Sequence, residues 1–171
     1  LEKFVDDISD TQDPVTGAIA DTAPFHWGFR PADPVAIAYL LIPHLLHAHY
    51  GDTRCMERHF DGMTRWIEYL WRRTSDGILE YSHFGDWAPP SAQGITGSEG
   101  CGAISAETPG ALVSTAFLHR SLSLAARMAV ALDRSRDART FKSRSFEVVE
   151  AFHRHFWNPV VHGYGSGNQA C

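Results

Sequence analysis

The 171 residues carry 44% hydrophobic, 20% charged and 12% aromatic side chains, enough apolar material for one domain with a substantial core. A formal charge of −5 and the lack of a basic stripe argue against a nucleic-acid partner. The longest apolar run, Val35 to Ile42, is far short of the ~20 residues needed to span a bilayer, so no membrane partner is expected either.

In chain order, residues 1–34 show little periodicity and many turn pairs, including Asp13-Pro14, Thr16-Gly17 and Asp33-Pro34. With Phe25, Trp27 and Phe29 among them, they read as an extended but ordered loop, of the kind that rims a binding site. Val35 to Tyr50 is apolar nearly all round and predicts a helix buried between neighbours, ended by Gly51. Asp52 then caps a helix from Thr53 to about Arg73, with Met56, Phe60, Met63, Ile67, Leu70 and Trp71 on its inner face.

Residues 74–107 hold a strand and a loop. Ile78 to Tyr81 alternates as a short strand does, then Gly85 breaks the pattern and leads through Asp86 and Trp87 to Pro89-Pro90. A carboxylate beside an indole suits a sugar, whose C–H face packs on the ring while its hydroxyls donate to the anion. A tight turn pinned by a buried tryptophan is the other reading of the same tripeptide. Ser91 to Glu107 is a polar, glycine-rich loop. Thr108 predicts a cap before Pro109, opening a helix with Leu112, Val113, Ala116, Phe117, Leu124, Met128 and Leu132 inward. A last helix runs from about Arg136 to Trp157 with Phe141, Val148, Phe152 and Phe156 inward, and Asn158-Pro159 stops it.

The second half repeats the first. At an offset of 85, Asp52 meets Asp137, Met56 meets Phe141, Met63 meets Val148, Ile67 meets Phe152 and Trp71 meets Phe156. The unit is a helical hairpin followed by a loop with a short strand, spanning 35–73 and then 108–157. Such units cannot bury their faces alone, so they stack into a solenoid or close into a ring. Two hairpins are few for either architecture. With Leu1 in place of an initiator Met, and residues 158–171 reading as a turn into a further hairpin, the expectation is a segment of a longer protein.

Chemistry in the sequence is sparse. His44 and His47 share a helix face but lack a nearby acidic third ligand, and His153 and His155 point apart on a helix, so no metal site is expected. Cys55, Cys101 and Cys171 are too scattered for a disulfide framework or a zinc site and read as free thiols, a pattern that fits a cytoplasmic setting. No phosphate-binding loop or nucleophile elbow is present, and no cofactor is implied. Carboxylates in loops remain: Asp21, Asp33, Asp86, Glu99 and Glu107. Glycoside hydrolysis uses two such groups across a sugar, although each taken singly also reads as solvated loop charge.

Taken together, Asp21-Thr-Ala-Pro-Phe25, Arg30-Pro-Ala-Asp-Pro34, Tyr50-Gly-Asp-Thr53, Trp66-Ile-Glu-Tyr-Leu70, Asp76-Gly-Ile-Leu79, Tyr81 to Pro89, Thr108-Pro109 and Tyr164-Gly-Ser-Gly-Asn-Gln-Ala170 resemble the catalytic domain of bacterial α-L-rhamnosidases. The resemblance implies an all-α fold, part of an (α/α)6 toroid of helical hairpins with short β segments in the loops. It also implies inverting hydrolysis of terminal α-L-rhamnosides by a general acid and a general base. The family's acid lies in an Arg-Asp-Glu motif upstream of the segment matching Asp21 to Pro34, and Leu1 to Ala20 contain none. Its base lies beyond the segment matching Tyr164 to Ala170. Both catalytic groups are therefore expected outside this chain, and the segment alone is expected to be inactive.

What matches is a sugar-binding wall. Trp87 resembles the family's rhamnose-contacting tryptophan, with Asp86 beside it and Tyr81 and Asp33 as further candidate contacts. The chain departs from the family where a Trp-Gly pair usually follows Asp-Pro, since Val35-Ala36-Ile37 stands there. A non-catalytic carbohydrate-binding relative and a helical-repeat interaction module are the alternatives.

Overall fold

The computed structural model describes residues 1–25, 31–86, 108–168 and 171, and the backbone of 95–97 and 103–105. Five helices dominate these residues: α1 (Glu2–Asp10), α2 (Ala38–Tyr50), α3 (Arg54–Trp71), α4 (Gly110–Ala131) and α5 (Ser135–Phe156). Six short strands pair into three antiparallel ribbons: β1 (Thr74–Ser75) with β2 (Ile78–Leu79), β3 (Ile95–Gly97) with β4 (Ala103–Ser105), and β5 (Trp157–Asn158) with β6 (Gly163–Tyr164). None of the described helices is long and apolar enough to cross a membrane.

The repeat read from the sequence is visible as structure. α3 runs into the β1–β2 ribbon, in which Thr74 faces Leu79, and α5 runs into the β5–β6 ribbon, in which Trp157 faces Tyr164. The matched positions Met56 and Phe141, and Met63 and Val148, are all buried. Phe60 and Phe141 meet edge to face at 6.4 Å between ring centres, joining the two repeats through the core.

Local chemistry sets the helix ends. α2 starts three residues later than expected because Asp33 folds the residues after it into a turn, with its Oδ1 accepting the Val35 N–H at 3.0 Å and its carbonyl accepting the Ala36 N–H at 2.9 Å. At the other end Gly51 takes the left-handed conformation, φ 68°, and its N–H closes on the His47 carbonyl. Asp52 stands one residue before the N-cap of α3, which is Thr53 without a side-chain cap bond, and is not itself the cap expected; it accepts the Arg54 N–H at 3.0 Å while the Arg54 guanidinium folds back onto both of its oxygens.

Several expectations are corrected. Residues 1–34 are not loop throughout, because Glu2–Asp10 forms α1. Its stripe is only Val5 and Ile8, too short to show a period, and tertiary docking decides the conformation. Asp6 fixes that docking: its Oδ1 meets His59 Nε2 at 2.8 Å and the Arg58 guanidinium at 3.2 Å, and these bonds, that to His59 foremost, hold its carboxyl below the ordinary carboxylate range. On α3, Trp66 is fully buried although the expected stripe omitted it, and Trp71 is only half-buried beneath the Arg144 guanidinium. α2 is not buried all round: its buried residues are Tyr39, Leu40 and Pro43, and Leu45 is exposed.

On α4 the expected Leu112, Leu124 and Met128 are buried, but the inner face is wider than the apolar pattern. Ser114, Thr115, Leu118, Ser121, Leu122 and Ala125 are buried too, while Ala116 is exposed and Val113 and Phe117 are half-buried. Small hydroxyl side chains let α5 approach closely, with Ser123 and Ser145 hydroxyls 3.2 Å apart, and Thr115 Oγ1 accepts the Leu79 N–H of β2 at 3.0 Å. The apolar count hides that face because hydroxyls occupy it.

Gly17 fixes the turn that follows α1. Its φ is +83°, and a methyl there would sit 2.6 Å from the Arg65 carbonyl oxygen on α3. Gly17→Ala is expected to cost about 1–3 kcal/mol through backbone strain and overlap together, read as a lowered melting temperature. An unchanged melting temperature would mean that this turn is free to move.

Candidate functional site

Four stretches meet at one end of the hairpins: 19–25, 31–35, the segment 80–86 that follows β2, and the residues before α4. Ala20 and Pro31 form an isolated bridge, Ala32 N–H donates to the Ile19 carbonyl, and Asp33 N–H donates to Asp21 Oδ1 at 2.9 Å. These bonds place Asp33 beneath the segment that leaves β2.

Asp33 is 1% exposed. Its Oδ1 accepts from Val35, and its Oδ2 accepts the N–H groups of His83 and Phe84, the latter at 2.8 Å, with the Ser82 hydroxyl at 3.5 Å. A buried carboxylate is expensive unless hydrogen-bonded, and here backbone amides do the bonding. The sequence grouped Asp33 with the sugar contacts. The structure turns both of its oxygens onto the chain itself.

Tyr81 is half-buried, packed edge to face on Tyr69 and on the His83 ring. Burial, and then the negative charge of its neighbours, pushes its phenol well above the ordinary value, so it serves as a neutral donor. It donates to the Pro31 carbonyl at 2.7 Å, and its oxygen lies 2.6 Å from His83 Nε2. Because His83 Nε2 is also 3.2 Å from the Pro31 carbonyl, all three contacts are satisfied when that ring nitrogen carries the proton.

Asp86 lies at the far end of the segment, after Gly85, which turns at φ 50°. Its Oδ2 accepts the Thr108 hydroxyl at 2.9 Å, and Thr108 Oγ1 in turn accepts from Asn168 Nδ2 at 2.9 Å. Thr108 is therefore not the helix cap that the sequence suggested. The N-cap of α4 is Pro109, without a side-chain bond, and the fully buried Thr108 hydroxyl joins the segment after β2 to the turn after β6. Asn168 and His83 escaped the sequence reading, which had no reason to single out an amide in a glycine-rich turn.

Trp87, Glu99, Glu107 and Cys101 lie outside the described residues, while Cys55 and Cys171 are free thiols. His44 and His47 line a groove with Arg127 and Met128, where burial first, and then Arg127 and Arg120, lower the His44 pKa. Among the described residues no three His, Cys, Asp or Glu side chains gather as a metal ion would require. His153 and His155 are exposed on α5. The arrangement is a polar, tightly tied segment in which the Asp86 carboxylate is held by Thr108.

Comparison with known proteins gives this geometry a context. Residues 1–170 match the family model described as the bacterial alpha-L-rhamnosidase 6 hairpin glycosidase domain. The chain is similar to the alpha-L-rhamnosidase of Alteromonas sp. (strain LOR), with 30% identity over 121 residues, 71% of this chain and 13% of that protein. It is also similar to that of Streptomyces avermitilis, with 28% identity over 162 residues, 89% of this chain and again 13% of the relative. The structure of alpha-L-rhamnosidase from Dictyoglumus thermophilum matches with a TM-score of 0.80 at 26% identity, covering 92% of this chain and 17% of that one. The Streptomyces avermitilis enzyme complexed with L-rhamnose matches with a TM-score of 0.72 at 24% identity over 92% of this chain and 14% of its own, a likeness of fold. The chain thus spans a small part of the length of each.

Proposed function

This chain belongs to the bacterial α-L-rhamnosidase six-hairpin glycosidase domain family, and on that premise we propose that it is the part of a longer glycoside hydrolase that forms one wall of a rhamnose pocket. The fold is accordingly that of a six-hairpin glycosidase, of which this chain supplies about two hairpins. The observation that carries the proposal is the family match from residue 1 to residue 170. Outward apolar side chains on α2, α4 and α5, among them Leu45, Val130, Phe146 and Val149, support it, because a closed ring would bury them against further hairpins.

In this reading the reaction is a single displacement. A general acid protonates the leaving oxygen while a general base activates water on the opposite face of the sugar, the two carboxyl groups standing ~6.5–9.5 Å apart. Both come from segments outside these residues. The chain's own contribution is binding: the Trp87 indole takes the C–H face of the rhamnose ring, Asp86 accepts from a sugar hydroxyl, and Tyr81 and Asp33 keep the loop in place behind them. No cofactor takes part.

The test is turnover by the intact polypeptide on aryl α-L-rhamnoside alongside aryl glycosides of mannose, glucose and galactose. Release of the aryl group from the rhamnoside alone is the expected outcome, and release from another member of the panel in its place would refute the proposal. The Val35-Ala36-Ile37 sequence, standing where the family usually has Trp-Gly, favours one second reading, a sugar-binding relative without turnover. Binding of L-rhamnose with no cleavage would identify it.

A further inference from the structure

We propose that Asp33 and Thr108 are positioning residues that clamp the segment from His83 to Asp86 at its two ends, so that sugar affinity depends on side chains that do not touch the sugar. The inference rests on the rhamnose-pocket reading above. Asp33 holds the near end: two successive amides, His83 and Phe84, converge on its Oδ2, while Val35 occupies Oδ1. Its own amide is tied to Asp21, so the anchor is fixed before it grips the loop. Thr108 holds the far end through Asp86 Oδ2, with Asn168 bonded behind it. Between the two grips lies only Gly85, which supplies the left-handed turn of this short span. With backbone fixed at 83–84 and side chain fixed at 86, the Asp86 carboxylate is placed before any ligand arrives. Such pre-organisation lowers the ordering cost of binding.

Both residues are sealed, with Asp33 1% and Thr108 0% exposed, which separates this role from direct contact. Asp33→Asn keeps the volume but turns an NH2 group toward either the Val35 amide or the His83 and Phe84 amides, setting donor against donor. Thr108→Val removes only the hydroxyl, and Thr108→Ser keeps it.

These variants, made in the intact polypeptide, are read in two ways. Amide hydrogen exchange should speed up at His83 and Phe84 by about tenfold or more in Asp33→Asn, with α3 and α4 keeping their protection. On aryl α-L-rhamnoside, Asp33→Asn and Thr108→Val should each raise KM by about tenfold with kcat changed less than about twofold, since the loop binds sugar and the acid and base lie elsewhere. Thr108→Ser should restore KM. The proposal is overturned by unchanged exchange at 83–84 in Asp33→Asn, by loss of protection throughout α3 and α4, or by a fall in kcat at constant KM. A wild-type KM in Thr108→Val overturns the far grip whether or not Asp33→Asn folds. If the wild-type protein cleaves no rhamnoside, the functional reading fails while the exchange experiment still decides the clamp.

Discussion

Trp66→Ala is expected to destabilise the folded chain by about 3–5 kcal/mol, because it removes the largest fully buried side chain among the described residues and leaves a void that the helices cannot close. Trp66 lies on α3 with 0% exposure and stacks on Tyr69 with ring centres 5.4 Å apart and planes 14° from parallel. Tyr69 carries the Arg73 guanidinium 3.5 Å above its ring and meets Tyr81 edge to face at 6.5 Å. The lost volume therefore lies at the root of a line of rings running from the core to the segment after β2. Denaturant titration of the intact polypeptide measures the loss, and Trp66→Phe, which keeps an aromatic ring beside Tyr69, should cost clearly less. A loss below about 1 kcal/mol for the alanine variant would contradict this place in the core.

Trp87→Ala carries the second large effect, on function. Deleting a stacking indole should remove about 1–3 kcal/mol of transition-state stabilisation, a fall of roughly 5- to 150-fold in kcat/KM on aryl α-L-rhamnoside. The residue follows Asp86, whose carboxylate is tied to Thr108, so the chain leading into it is held. Stability should change little by comparison, because the proposed role lies at a ligand surface. Unchanged kinetics would remove Trp87 from the site and return the Gly85-Asp86-Trp87 stretch to a structural turn.

Four of the helices were legible in the sequence because each has a long apolar stripe and clear punctuation: Gly51 and Asp52 between α2 and α3, Pro109 before α4, and Asn158-Pro159 after α5. α1 was not, since two apolar residues make no period and its conformation is decided by docking, with Val5 and Ile8 buried in the core and Asp6 bonded to His59 and Arg58 on α3. The inner face of α4 is legible only in part: Leu112, Leu124 and Met128 are buried as their spacing predicts, but Ser114, Thr115 and Ser121 are polar by composition yet buried. Trp66, three residues after Met63 and four before Leu70, is buried beyond the expected stripe, and Trp71, on that stripe, is only half-buried beneath a basic side chain.

The site was legible as a neighbourhood and less so as chemistry. Family motifs marked Asp33, Tyr81 and Asp86, and the structure brings their segments together. Sequence spacing could not show that Asp33 turns inward to the backbone amides of His83 and Phe84, nor that Thr108 leaves its helix uncapped to hold Asp86. Both are contacts between residues far apart in the chain, which local pattern does not encode.

The central claim, a wall segment of an inverting rhamnosidase, is tested most directly by tracking the first sugar released from an aryl α-L-rhamnoside by the intact polypeptide, using proton NMR at early times. The account predicts β-L-rhamnose first, with the α anomer appearing only as the product mutarotates. Release of α-L-rhamnose first, or no release at all, would contradict it.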